Sequence, residues 1–321
     1  MENNETTTTS TASVKVRKKR SPMQDVWRRF RKSPIAMIGL FVVSLILLVA
    51  IFANVIAPPQ GRNPGYDIQN LNNRFVRPGR SVHIEIDDYG NEIEVRGNFY
   101  LMGTDHFGRD IFSRIVHGAR VSLLVGFIAV SISMVAGVTL GALAGYYNVI
   151  TDNIIMRIVD ILLSIPPILL AISIAAALRP GLTTIVIAVG LGATPGYARV
   201  MRASVLGIKE QEFIEAARSV GAGDFQIMRK HILPNCMAPI IVQATMGMAY
   251  AILWAAALSF LGLGIDPPTP EWGAMLSEAR MFIRDHWHLV LFPGLSIAVL
   301  IFALNMMGDG LRDAFDPRLK K

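Results

Sequence analysis

The chain is 321 residues long, 52% hydrophobic and only 17% charged, well under the ~25% charged content of soluble domains. A net charge of +7 would suit nucleic acid, but the lysines and arginines gather near both termini and in one internal stretch, which argues against a nucleic-acid partner and for one face of a lipid bilayer. The lone cysteine, Cys236, excludes a disulfide framework and a multi-cysteine metal site.

Residues 1–20 are polar and threonine-rich, then basic, and read as disordered rather than as a cleavable signal. Ser21 is placed as a helix N-cap with Pro22 at the first helical position. From Met23 to Lys32, Val26, Trp27 and Phe30 share one side while Arg28, Arg29, Arg31 and Lys32 lie elsewhere. That pattern suits a helix lying in the headgroup layer, with a solvated juxtamembrane linker as the alternative; residues 1–34 are read as a cytoplasmic basic tail and interfacial helix. Six membrane spans follow, predicted over residues 35–57, 121–147, 158–178, 182–199, 237–261 and 289–307 from apolar runs of crossing length. Residues 119–308 form the predicted core and 309–321 a tail. Nine lysines and arginines fall at or before Pro34, six between Arg199 and Asn235 and four after Gly310, against one in 179–181 and two in 266–288. Both termini are therefore predicted cytoplasmic; the long loop over 58–118 is basic too, but long loops translocate largely regardless of charge.

That outer loop alternates Val82, Ile84 and Ile86 with His83, Glu85 and Asp87, turns at 88–91, and alternates again through Ile93 and Val95. It predicts an extracytoplasmic β-hairpin, serving either to meet a solute-binding protein or cover the outer mouth, or as an insertion packed on its own subunit. Asp105, Arg109, Asp110, Arg114 and Arg120 alternate in sign and are expected to pair locally at the outer boundary. Within the spans, Gly137, Gly141 and Gly145 form a smooth stripe for close helix approach, and Pro166-Pro167 should kink the third span. Asp160 is expected near the cytoplasmic end, solvated or paired, because mid-bilayer placement costs about 2.5–3.5 kcal/mol. Trp272, after Pro267, Pro268 and Pro270, is placed at the outer interface, and Asp309, Arg312, Asp313, Asp316 and Arg318 in the tail either pair or stay solvated.

The stretch EFIEAARSVGAGDFQIMRKHILPN, residues 212–235, is the most informative. Glu212 to Val220 predicts a short amphipathic helix with Phe213, Ala216, Ala217 and Val220 at helical spacing. Gly221 breaks it, Asp224 is placed as N-cap of a second helix beginning at Phe225, and Pro234 closes the unit. A helix–turn–helix with small residues on its surface is a rigid plug for another protein's groove.

Here a family resemblance appears. The stretch resembles the EAA loop of binding-protein-dependent ATP-binding-cassette permeases, with Glu215, Ala216, Ala217, Gly221, Leu233 and Pro234 at matching positions and His231 where the family expects isoleucine. GTDHFGRDIFSRIVHGARVSL (103–123), LSFLGLGIDPPTPEWGAML (258–276) and NMMGDGLRDAFDPR (305–318) resemble the C-type subunit of dipeptide and oligopeptide permeases. The resemblance implies an all-α, six-span membrane protein of the type I ABC importer permease fold in a bacterial inner membrane, with a peptide cargo. It further implies a homologous second permease subunit, a solute-binding protein, and two ATPase subunits that bind the ATP and magnesium. One ATPase would dock on loop 205–235 through Glu212, Phe213, Glu215, Ala216, Ala217, Gly221, Asp224, Phe225, Leu233 and Pro234.

No phosphate-binding G-x-x-x-x-G-K-[ST] motif occurs, so ATP binding of that kind is not expected. The six histidines show no H-E-x-x-H pairing and no nucleophile–base set converges, so no catalytic, cofactor or metal site is expected in this chain. His286 and His288 beside Asp285 read as an interfacial loop rather than metal ligands. Alternatives are a nickel, glutathione or haem importer permease of the same superfamily or, in another class, a stand-alone secondary transporter. The latter would need paired intramembrane charges and inverted repeats.

Overall fold

The computed structural model describes residues 22–58, 65–86 and 92–316; Ser21, the 1–20 segment, the 88–91 turn and Arg318 lie outside the described residues. The chain runs α1 (Pro22–Phe30), α2 (Pro34–Ile51), α3 (Ala53–Ile56), β1 (Arg80–Ile86), β2 (Glu92–Tyr100), α4 (Ile111–Tyr146), α5 (Val149–Ser164) and α6 (Pro167–Ala177). It continues through α7 (Leu182–Lys209), α8 (Glu212–Ser219), α9 (Asp224–Ile227), α10 (Leu233–Phe260), α11 (Trp272–Ala279) and α12 (His288–Phe315). Five helical stretches are long and apolar enough to cross a membrane: α2, α4, α7, α9 through α10, and α12. The pair α5–α6 makes a sixth if its two limbs count as one crossing. Phe41, Val135 and Phe302 point outward at 65–68% exposure, an arrangement that lipid favours and water does not.

Helix α2 starts on Ser33, whose hydroxyl accepts the Ala36 N–H, with proline at its first position. α4 starts on Asp110, whose carboxylate accepts the Phe112 and Ser113 N–H groups at 3.3 and 3.0 Å. The helix thus begins ten residues before the predicted span, because the charges that resembled a loop are absorbed. Arg120 turns to the end of α2, donating to the main-chain oxygens of Ala50 and Ile51 and to Asn54 Oδ1, carbonyls a helix end leaves open. At 36 residues α4 is about 54 Å long and reaches past both edges of the ~30 Å hydrocarbon layer.

The third predicted span is not one kinked rod. α5 and α6 meet at 90°, with Ile165 driven to an extended conformation (φ −94°, ψ 128°) ahead of two prolines. Pro167 then opens α6 as its first residue. Tandem prolines remove successive N–H donors, so the chain restarts rather than bends. Asp160 on α5 pairs with Arg199 of α7 at 2.8 Å, and Asp152 accepts from Nε and Nη2 of Arg202, each at 2.6 Å. The Gly137–Gly141–Gly145 stripe lies flat on α7: a Cβ at Gly141 would stand 2.8 Å from Met201 Cβ, and one at Gly145 2.8 Å from Val205 Cβ. Close packing is therefore what the stripe does.

The strands β1 and β2 pair antiparallel, with a register shift between Ser81 and Val82. Beside this hairpin, Asp105 accepts from the Phe107 and Arg109 N–H groups and from Arg109 Nε at 2.6 Å. Glu278 of α11 accepts from Arg109 Nη2 at 2.7 Å and Arg114 Nη2 at 3.3 Å. His106 brings a third ligand-type atom within 4.8 Å of the two carboxylates, but the two guanidiniums already supply the balancing charge. Of the five charges expected to pair, Asp105, Arg109 and Arg114 do so; Asp110 and Arg120 cap helices instead. Trp272 is not interfacial: it is 2% exposed and its indole donates to Ile115 O at 3.1 Å, while Trp27 and Trp287 are the half-exposed tryptophans. His286 stacks on Phe75 at 4.0 Å and meets the His288 ring edge-on at 6.0 Å, while His288 is buried against Thr104.

Phe30 of α1 is buried with Ala36 of α2 and Ala314 of α12. The start of α4 lies beside Ala53 at the opposite end of α2. Given the length of α4, α1, the last turn of α12 and the end of α4 therefore share one end of the bundle, and the hairpin occupies the other. Val26 packs into the Phe30 cluster, whereas Trp27 stacks on Phe30 and stays exposed.

Candidate coupling site

The loop after α7 is built on the ends of α4 and α7. Ile214 and Ala217 of α8, Ile227 of α9, and Ile232, Cys236 and Ile240 beyond it are buried together with Ala142 and Tyr146 of α4 and Met201 and Val205 of α7. The buried face of α8 is thus Ile214–Ala217, spaced three apart. Phe213, Ala216 and Val220, grouped with Ala217 by sequence spacing, are exposed instead, Val220 at 85%. Burying one isoleucine and one alanine satisfies α8; its other apolar residues remain outside.

Gly221 ends α8 in the left-handed region at φ +84°. The Ala222 N–H donates to Ala217 O and the Gly221 N–H to Arg218 O, the paired bonds of a glycine C-cap. No atom lies within 4 Å of where a Cβ would stand, so backbone conformation alone demands glycine here. Asp224 is not the N-cap: Gly223 holds that position, and Asp224 is the first residue of α9. Its carboxylate accepts from Tyr146 Oη at 2.6 Å. Lys209 Nζ donates to Tyr146 O at 2.6 Å, and the guanidinium of Arg218 stands over the Tyr146 ring at 5.8 Å. The last residue of α4 therefore gathers α7, α8 and α9.

Pro234 does not close the unit, because the helix runs through it. Met228–Ile232 form a π turn, with the Leu233 N–H reaching Met228 O, and α10 follows directly. A proline inside a helix cannot donate to the carbonyl four residues back, and the widened turn falls beside that missing donor. Leu233 packs half-buried on the loop core, while Pro234 is exposed. Glu212 and Glu215 lie in the first turn of α8, where the helix dipole favours them. The Glu215 carboxylate has no side-chain partner among the described residues. Phe213 (40%), Val220 (85%) and Phe225 (76%) are exposed apolar side chains of this loop, and Ala216 and Gly221 are exposed with them. Sequence reasoning missed Ile214, Ile227 and Tyr146; the i, i+3 spacing of Ile214 and Ala217 signalled the first, and nothing local signals a tyrosine 78 residues from its partner.

Residues 137–321 match the family described as the binding-protein-dependent transport system inner membrane component. Residues 21–75 match the N-terminal transmembrane domain of oligopeptide transport permease C. The chain is 45% identical over 300 residues to the dipeptide transport system permease protein DppC of Alkalihalophilus pseudofirmus, covering 94% of this chain and 91% of that protein. It is 43% identical to the di/tripeptide transport system permease protein DppC of Pseudomonas aeruginosa (94% and 93% covered) and 45% identical to the glutathione transport system permease protein GsiD of Escherichia coli (96% and 94%). In fold it resembles a chain of the MetNI methionine ABC transporter solved in inward facing conformations, with TM-score 0.54 and 22% identity over 63% of this chain and 97% of that one. On the family match and on relatives sharing over 40% identity along nearly the whole sequence, the chain belongs to the binding-protein-dependent transport system inner membrane components, as a multi-pass permease subunit of an ABC transporter.

Proposed function

We propose that the chain imports short peptides as one half of a transmembrane path, moved by a separate ATPase that docks on the α8 loop. The single observation that carries the docking role is the exposure of Phe213, Val220 and Phe225 on a loop whose buried residues are locked to α4 and α7. Apolar side chains held rigidly in the open are the usual mark of an interface. The loop end, with α1 and the last turn of α12, is the cytoplasmic one in this reading, which makes six crossings with the bent α5–α6 pair as the third. The hairpin then faces the solute-binding protein's side, and a homologous second permease completes the path. A second ATPase docks on that second permease. Nucleotide-driven closure of the ATPases pushes the α8 loop; Tyr146 and the α4–α7 contact pass the movement to the bundle, which rocks between two packings.

The peptide cargo is supported by the named substrates of the relatives: dipeptides, di/tripeptides and glutathione. Glutathione is itself a tripeptide, so that alternative falls within the same chemical class, and nickel and haem find no support among these relatives. The test is Gly221→Val. A β-branched residue at φ +84° is strained by about 1–3 kcal/mol, enough to displace the loop without unfolding the bundle. Peptide uptake should be abolished while the protein still reaches the membrane; unchanged uptake, or uptake driven by an ion gradient without nucleotide hydrolysis, would overturn the reading.

A further inference from the structure

We infer that the open cavity lined by α4, the α5–α6 break, α7 and α10 is where a peptide is read during passage, with the Gln243 carboxamide pairing with the peptide backbone. This rests on the peptide-importer reading above. The cavity holds about 250 Å³, and its lining includes Gly196, Tyr197, Gln243, Gly247, Tyr250 and Trp254 but no charged residue.

Three observations converge on Gln243. It sits in an apolar run of α10, between Ile240-Ile241-Val242 and Ala244, where a polar group without a partner is costly. The Tyr197 hydroxyl donates to the main-chain oxygen of Gln243 at 3.3 Å. The side-chain amide itself has no hydrogen-bond partner among the described residues and remains only half-buried at the cavity wall. Polar side chains retained inside spans characteristically face a pathway or cavity.

The glycines supply the second argument. Gly137, Gly141 and Gly145 are required because α7 presses on them. At Gly192 and Gly196 the situation is reversed: a Cβ would meet nothing closer than 3.5 Å and 3.8 Å, the latter contact being Gln243 Nε2 itself. Packing does not demand glycine at either position; at Gly196 its effect is to leave space in front of Gln243, and at Gly192 in front of Pro167 and Ala171.

The chemistry of the wall selects the cargo. A carboxamide offers one acceptor and two donors, matching the C=O and N–H that every peptide carries whatever its side chains. The Tyr250 ring, 56% exposed, and Trp254 offer faces to apolar side chains. A hydrated transition-metal ion would find no carboxylate, imidazole or thiolate. The wall therefore reads a neutral backbone and tolerates variety in side chains.

The test uses the assembled transporter purified through this chain, with Gln243→Cys in a Cys236→Ala background, a charged water-borne thiol reagent and trialanine as the probe. The Gln243→Cys thiol should be labelled, and trialanine should slow the labelling, whereas Phe302→Cys on the outward face of α12 should stay unlabelled. In parallel, Gln243→Leu should lower trialanine uptake about fivefold, the loss expected for one neutral hydrogen bond. If the unaltered transporter imports trialanine but the Gln243→Cys thiol is unlabelled in every nucleotide state, or labelled without protection, the Gln243 assignment is wrong, as it would be if that side chain faced the second permease. If the unaltered transporter imports neither trialanine nor glutathione, the peptide reading falls first and this inference with it.

Discussion

The two ends of the bundle treat their polar groups in opposite ways. At the hairpin end, Arg109 and Arg114 are each 1% exposed and share Asp105 and Glu278 between the segment before α4, α4 itself and α11. At the α8 end, Tyr146 gives one hydrogen bond to the exposed carboxylate of Asp224, Arg202–Asp152 is a two-bond pair standing apart from it, and the surface beside them carries exposed apolar side chains. A shared, buried network has one arrangement of minimum energy, because each charge loses several partners at once if it moves. Separate links around a glycine turn leave a loop that is well anchored yet displaceable. The hairpin end thus behaves as a frame and the α8 end as a lever.

The comparison breaks most severely at Arg109. Arg109→Met should leave Asp105 with its main-chain donors and Arg114 at 3.8 Å, and Glu278 with Arg114 alone, costing about 3–5 kcal/mol, the range for breaking a buried ion pair by removing one partner. Thermal unfolding in detergent measures this. Trp272 is a suitable fluorescent reporter, since its indole is buried on α4 at Ile115. A loss under about 1 kcal/mol, typical of exposed pairs, would show that the hairpin end is no more rigid than the α8 end. Tyr146→Phe probes the other side and should cost about 0.5–1.5 kcal/mol, the net value of one hydrogen bond. Because α4 meets α9 through that bond, the variant should also raise ATP hydrolysis relative to uptake in the reconstituted transporter.

These two sites show why some of the molecule was legible in advance and some was not. The apolar runs of α2, α10 and α12 announce themselves because lipid demands uninterrupted hydropathy, and Gly221 is legible because few residues other than glycine accept its φ. The start of α4 was hidden: Arg114 and Arg120 look like loop charges until Glu278 and the end of α2 are brought to them from 164 and about 70 residues away. The 90° restart at Pro166-Pro167 was signalled in kind but not in size, since tandem proline forbids helix continuation without setting the new direction. Which face of α8 is buried was left open, because Phe213, Ala216 and Val220 fit a helical stripe as well as Ile214 and Ala217 do. Spacing identifies a stripe, whereas which stripe is buried depends on what lies beneath it.

That ambiguity supplies the last test. If Phe225 is exposed because it belongs to an interface, Phe225→Ser removes apolar surface that the isolated subunit does not use. Stability of the subunit should then change by no more than about 0.5 kcal/mol, as for surface substitutions generally, or improve its solubility outside detergent. In the assembled transporter the same substitution should release the ATPase on size-exclusion chromatography and stop uptake. Ile227→Ser, two residues on and 0% exposed, should do the reverse in order: the loop core loosens first, and ATPase binding fails only as a consequence. The pair separates a side chain that holds the loop from one that the loop holds out. Equal destabilisation of the isolated subunit by both would mean that the exposed apolar side chains are a part of the fold still lacking its cover within this chain, and the lever would have no handle.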